Sequence, residues 1–119
     1  PNQRTRTTML KQGATTEIIF RLFENDGVTP KALEPSMRIK VIICNSHNMV
    51  KHQGNYPDDI KLIETGVYSL TLPNSVTKNF SGDLRMEIAV YSADAVLICK
   101  ERVEMYWQPY VIGSKVYED

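Results

Sequence analysis

The sequence predicts an all-β domain, an antiparallel β-sandwich of two sheets and about seven strands. Three observations lead there. Short segments alternate apolar and polar side chains, the period of two that places neighbours on opposite faces of a strand. Turn-forming residues separate these segments at intervals, and no segment holds a helical period.

The stretch around which the chain is organised is 83–107, read as one long β-hairpin. Leu84, Met86, Ile88 and Val90 alternate with Arg85, Glu87, Ala89 and Tyr91. Ser92, Ala93 and Asp94 supply turn chemistry. Ala95, Val96, Leu97, Ile98 and Cys99 form an almost continuous apolar run, followed by Lys100, Glu101 and Arg102. The run is expected to be buried on both sides and to become solvated as the strand leaves the core. Such a hairpin is marginal alone and requires a second sheet against its apolar face.

In chain order, a polar arm (1–8) carries Arg4 and Arg6 among threonines, and 9–13 reads as a short edge strand ended by Gly13. Segment 16–24 is a strand with Ile18, Phe20 and Leu22 on its inner face; Ile19 and Phe23 interrupt the polar face, which is expected to be partly covered. Asn25, Asp26 and Gly27 make a tight turn. Segment 28–36 holds two prolines and is a connection. The strand at 37–45, with Ile39, Val41 and Ile43 facing Lys40, Ile42 and Cys44 across its two sides, is apolar on both and belongs in the middle of its sheet.

Segment 46–59 has loop chemistry around a short strand at 49–53. Segment 60–63 is brief and apolar, and Glu64, Thr65 and Gly66 turn it. In 67–72, Tyr68, Leu70 and Leu72 face inward until Pro73 ends the strand. Residues 74–82 cross over through a helical turn with Phe80 as a plug. Pro109 closes the hairpin and leaves a C-terminal tail (109–119).

Composition limits function. At 119 residues the chain is one domain, 1–119, and its 42% hydrophobic and 24% charged content is that of an ordinary globule. Fourteen basic and fourteen acidic side chains cancel, so no global field draws the chain to nucleic acid or an anionic membrane. No apolar run approaches the ~20 residues that span a bilayer, and no signal peptide is read. The opening Pro1, without methionine, suggests a processed chain or a fragment.

Cys44 and Cys99 have a separation suited to an inter-sheet disulfide, but the companions of that bond are missing. Trp107, the single tryptophan, follows the second cysteine, and Leu97 stands where a tyrosine is expected. Two unbonded thiols, which favour a reducing compartment, are predicted.

The search for chemistry is negative. His47 and His52 lack the third and fourth ligands that zinc needs. Asp58 and Asp59 near Asn55 do not follow a calcium-loop spacing. No nucleophile elbow and no glycine-rich phosphate loop is present. The chain is read as a non-enzyme with no catalytic residue, no cofactor and no metal. Tyr106, Trp107 and Tyr110 are either an interface anchor or a cap over one end of the sandwich. Val111, Ile112, Val116 and Tyr117 extend that apolar cluster along the tail, where self-association is expected.

A resemblance covers most of the chain. Leu10-Lys11-Gln12-Gly13, then Ile18-Ile19-Phe20-Arg21-Leu22 before Asn25-Asp26-Gly27, resembles the opening of the N-terminal immunoglobulin-like domain of phage baseplate upper proteins. Gly66-Val67-Tyr68-Ser69-Leu70-Thr71-Leu72-Pro73 is similar to that family's strand before its crossover, and Phe80-Ser81-Gly82-Asp83-Leu84-Arg85-Met86-Glu87-Ile88 to its turn into the next strand. The resemblance implies an immunoglobulin-like sandwich, a structural role in a phage tail tip or baseplate, and protein partners within a multi-copy assembly. It also implies localisation in the virion after synthesis in the host cytoplasm. The alternative reading is an extracellular bacterial adhesion or carbohydrate-binding domain.

Overall fold

A computed structural model describes residues 10–109. These residues form eight strands and one helical turn, arranged as two sheets over a common core. The N-terminal arm lies outside the described residues, as does the tail beyond Pro109.

The larger sheet has five strands. At its centre are β7 (Gly82–Tyr91) and β3 (Arg38–Asn45), paired antiparallel from Arg38↔Tyr91 to Asn45↔Leu84. The far side of β3 holds β4 (Val50–Tyr56), and that of β7 holds β8 (Leu97–Gln108). A two-residue strand, β1 (Leu10–Lys11), joins the end of β8 in parallel, Leu10 opposite Trp107 and Lys11 opposite Gln108. The smaller sheet places β6 (Val67–Leu72) between β2 (Thr16–Arg21) and β5 (Ile60–Glu64).

The period-two pattern sets the core. Ile39, Val41 and Ile43 of β3 and Leu84, Met86, Ile88 and Val90 of β7 are buried on the inner face of the large sheet. They meet Phe20, Ile60, Tyr68, Leu70 and Leu72 from the small one. The inward sides assigned to the strands at 37–45 and 67–72, and the central position of the former, agree with the structure. Burying one such aliphatic side chain contributes roughly 1.5–3 kcal/mol, so this alternation is the main source of cohesion.

The connections follow local chemistry. Asp26 accepts hydrogen bonds at Oδ1 from the backbone N–H groups of Val28 and Thr29 (both 2.8 Å) and at Oδ2 from the Thr29 hydroxyl, while Gly27 takes a positive φ of 74°. Pro73 stops β6, and α1 (Asn74–Thr77) supplies the crossover. Thr77 is fully buried, its hydroxyl donating to the carbonyl of Ala14 (2.9 Å), and Phe80 beyond it is the expected plug.

Three expectations are corrected. The polar face of 16–24 is less covered than its apolar residues suggested: Ile19 and Phe23 remain about half exposed, because no element packs over them among the described residues. The fourth strand runs Val50–Tyr56 rather than 49–53, since Gly54 lets the strand approach Leu70 closely enough that a Cβ would sit 3.0 Å from Leu70 Cδ1. The third correction concerns the run 95–99. Val96, Leu97 and Ile98 are 60%, 49% and 40% exposed. Ala95 and Val96 belong to the β7–β8 turn, Ile98 lies on the outer row of the strand, and of the run only Cys99 packs against the core.

Cys44 and Cys99 are unbonded, as expected. Both lie in the large sheet, with β7 between them. Cys44 is opposite Arg85 and Cys99 opposite Val90, five residues further along β7 (90 − 85 = 5). That offset alone is about 16 Å, against the ~7 Å Cα limit for a disulfide.

Candidate functional site

The feature that departs most from a closed sandwich is β8. Its antiparallel ladder with β7 gives two rows. Lys100, Arg102, Glu104 and Tyr106, opposite Ala89, Glu87, Arg85 and Asp83, form the outer row. Cys99, Glu101, Val103, Met105 and Trp107, opposite Val90, Ile88, Met86, Leu84 and Gly82, form the row on the core side. The core-side row is covered only at its ends: Val103 is 41% exposed and Glu101 is exposed, whereas Trp107 is fully buried. Among the described residues, the edge of β8 away from β7 meets a strand only at Trp107 and Gln108, where β1 begins. From Leu97 to Tyr106 that edge offers backbone N–H and C=O groups to a further strand.

Charge is organised along this strand. Glu87 accepts from Arg85 Nε (2.8 Å) and lies 3.3 Å from Lys100 Nζ. Arg85 also donates to Asn48 Oδ1 and to the carbonyl of Asn45, tying β7 to the β3–β4 turn. The Arg85 hydrogen bond, and then that of Lys100, hold the Glu87 carboxyl below the usual range. Further along, Arg102 Nε meets Glu104 Oε2 at 2.9 Å on a well-exposed face. Exposed pairs of this kind contribute about 0–1 kcal/mol. They bear more on what approaches the strand than on stability.

The site residues read from the sequence separate. Tyr106 is 58% exposed on the outer row. Its neighbour Trp107 points the other way and packs edge-on against Phe80, ring centroids 5.0 Å apart. Trp107 is thus a core plug and not part of an exposed anchor, because adjacent residues of a strand face opposite sides. Tyr110, Val111, Ile112, Val116 and Tyr117 lie outside the described residues. The surface that sequence reasoning missed is the middle of β8. Its signal was the succession Lys100-Glu101-Arg102-Val103-Glu104. Charges on both faces of one strand mean that both faces meet water.

A second concavity lies at the opposite end of the hairpin. A cleft of about 630 Å³ is lined by Arg38, Lys40, Tyr56, Asp58, Tyr91 and Ala95, among others. Arg38 Nη1 is occupied by the carbonyls of Pro35 (3.1 Å) and Met37 (2.9 Å). The Ser92 hydroxyl accepts from the N–H groups of Asp94 and Val96 (both 3.2 Å) and so serves the turn. Among the described residues that line the cleft there is no histidine.

His47 and His52 do not converge with other ligands, and no group of three or more His, Cys, Asp or Glu side chains forms among the described residues. Asp59 instead accepts from the N–H of Asn55 (3.0 Å) and closes the β4–β5 turn. Burial pushes the Cys99 thiol up, away from the thiolate that nucleophilic chemistry requires. No described helix is long and apolar enough to cross a membrane. No family model matches the chain, and no curated protein matches it.

Proposed function

We propose that this domain is a non-enzymatic structural module of a phage tail tip or baseplate, immunoglobulin-like in topology, that attaches a multi-copy virion protein through protein–protein contacts. The observation that carries this reading is β8, with apolar side chains in water and a backbone edge that, among the described residues, is largely open. Such edges bind partners by strand addition, with side-chain rows supplying specificity. The sheet orders support the immunoglobulin-like topology. Lettering β2 to β8 as B, C, C′, D, E, F and G turns β8-β7-β3-β4 into G-F-C-C′ and β2-β6-β5 into B-E-D, the two sheets of that fold. The resemblance to baseplate upper proteins along 9–108 supports the phage setting, with a virion location and synthesis in the host cytoplasm. The balanced charge favours protein partners over nucleic acid or membrane.

Immuno-electron microscopy tests this reading. Antibodies raised against the domain should decorate the distal tail of virions from the phage that encodes it. Intact virions left bare, with tail disruption exposing no epitope, would overturn the assignment.

The cleft favours a second reading, an extracellular adhesion or carbohydrate-binding domain. Tyr56 and Tyr91 beside Arg38 and Asp58 provide the mixture of rings and polar groups that sugars use. Binding to a glycan array that Tyr91→Ala abolishes would favour it, as would labelling of the bacterial surface instead of virions.

A further inference from the structure

We infer that the edge of β8 left open among the described residues is a self-complementary seam through which two copies of this chain pair, antiparallel, about a two-fold axis at Val103. The inference rests on the reading of the domain as an assembly module and names its partner, a second copy.

A two-fold axis between antiparallel edge strands makes the interface isologous, so each residue meets a partner at a position mirrored through the centre. Side chains directly opposite share a face, which requires the centre to fall on a residue. Charge then selects which one. A centre on Lys100, Glu101, Arg102 or Glu104 places that side chain against its own copy, and like charges directly opposed are destabilising. Of the uncharged residues from Leu97 to Tyr106, Val103 alone, as the centre, sets opposite charges of the strand against each other, Arg102 against Glu104.

With Val103 at the axis, Arg102 of each copy faces Glu104 of the other, and Lys100 faces the ring of Tyr106. On the core side, Val103 meets Val103 and Met105 meets the stem of Glu101. The exposed Arg102–Glu104 pair at 2.9 Å within one strand then becomes two such pairs across the axis. The register also ends where the fold demands. Residues 100–106 pair with 106–100, and at Trp107 the edge is already taken by β1.

Edge charges of one sign keep copies apart. Here Arg102 and Glu104 flank Val103 with opposite signs, so they pair across the axis, while Glu101 and Lys100 meet the uncharged Met105 and Tyr106 and no like charges are opposed. The seam is one strand wide, smaller than a standard stable interface. The dimer is therefore weak and concentration-dependent, suited to copies held together in a larger assembly.

Cysteine crosslinking in the full chain, with Cys99→Ser to remove the native, partly exposed thiol, tests the register. Val103→Cys should give a disulfide-linked dimer under mild oxidation, since opposed Cα atoms in an antiparallel pair lie within disulfide range. Glu101→Cys, displaced from its own copy in this register, should give several-fold less. In sedimentation velocity across concentration, Arg102→Glu should abolish the native dimer, and Arg102→Glu with Glu104→Arg should restore it. Equal crosslinking at both positions, or no restoration by the double reversal, overturns the inference. So does a Val103→Cys chain that dimerises only after residues 1–9 are deleted, which would make the chain's own leading segment the occupant of the edge. Virion labelling is read independently, so a baseplate module that fails to pair here is distinguishable from a chain that is no baseplate module.

Discussion

Phe80 and Trp107 meet edge to face, their ring centroids 5.0 Å apart and their planes at 76°. Both are fully buried, one arriving from the crossover after α1 and the other from the end of β8. Together they close the end of the sandwich beside β1. Trp107 is where the otherwise exposed β8 is anchored.

Truncating either ring should therefore unseat that end. Phe80→Ala and Trp107→Ala are each expected to cost ~3–5 kcal/mol in urea unfolding, as for buried aromatic truncation. The double variant should lose less than the sum by ~0.5–1.5 kcal/mol, the coupling of an aromatic pair. Strict additivity would show that the two rings are buried independently.

Gly66 is required for two separate reasons. Its φ is +77°, and a Cβ there would sit 2.9 Å from Pro30 Cβ and 3.0 Å from the Leu22 carbonyl oxygen. Gly66→Ala should lose at least ~2 kcal/mol, backbone strain plus a clash with a neighbouring segment. Gly13, at φ +85° with nothing within 4 Å of where a Cβ would sit, isolates the strain alone. Gly13→Ala should cost only ~1 kcal/mol. Equal losses in parallel urea melts would remove the steric part of this account.

Ala95 occupies the left-handed region (φ 64°) in the β7–β8 turn. Ala95→Gly should relieve strain while adding unfolded-state entropy, a net change between zero and ~1 kcal/mol in favour of folding. Ala95→Val should instead destabilise, since a branched Cβ tolerates that region least. A thermal melt in which Val outperforms Gly would show the turn to adopt another conformation.

The Asp26 turn is acid-sensitive. The Thr29 hydroxyl, followed by the backbone N–H groups of Thr29 and Val28, lowers the Asp26 carboxyl from 3.8 to about 2. A carboxyl depressed in the folded state favours folding above its unfolded value, and that contribution fades as pH falls from near 4 towards 2. Carboxyl-carbon NMR should follow this titration with a midpoint near 2, and Thr29→Val should raise it. A midpoint at the ordinary aspartate value would mean the turn does not hold these hydrogen bonds in solution.

Much of the fold was legible in the chain because it depends on neighbours in sequence. The alternation from Leu84 to Val90 and from Tyr68 to Leu72 defines strands and their apolar faces, as period two must. Glu64-Thr65-Gly66 and Pro73 mark where strands stop, and Asp26-Gly27 marks a turn within the β2–β3 connection, through φ preferences and a missing donor. The absence of the tryptophan and tyrosine that accompany an inter-sheet disulfide correctly left Cys44 and Cys99 unbonded.

The candidate site was not legible, because it depends on which strand lies beyond the cover of the other sheet. Apolar residues 95–99 read as a buried run, yet Ala95 and Val96 fall in the β7–β8 turn, Ile98 lies on the outer row, and only Cys99 packs against the core. Tyr106 and Trp107 read as one aromatic cluster, yet strand geometry sends one into water and the other onto Phe80. Sequence determined each strand's two faces and its ends, since those follow from adjacent residues. Strand order and relative sheet width came only from the tertiary structure. They decide which apolar face is sealed into the core and which, on β8, stays open to water.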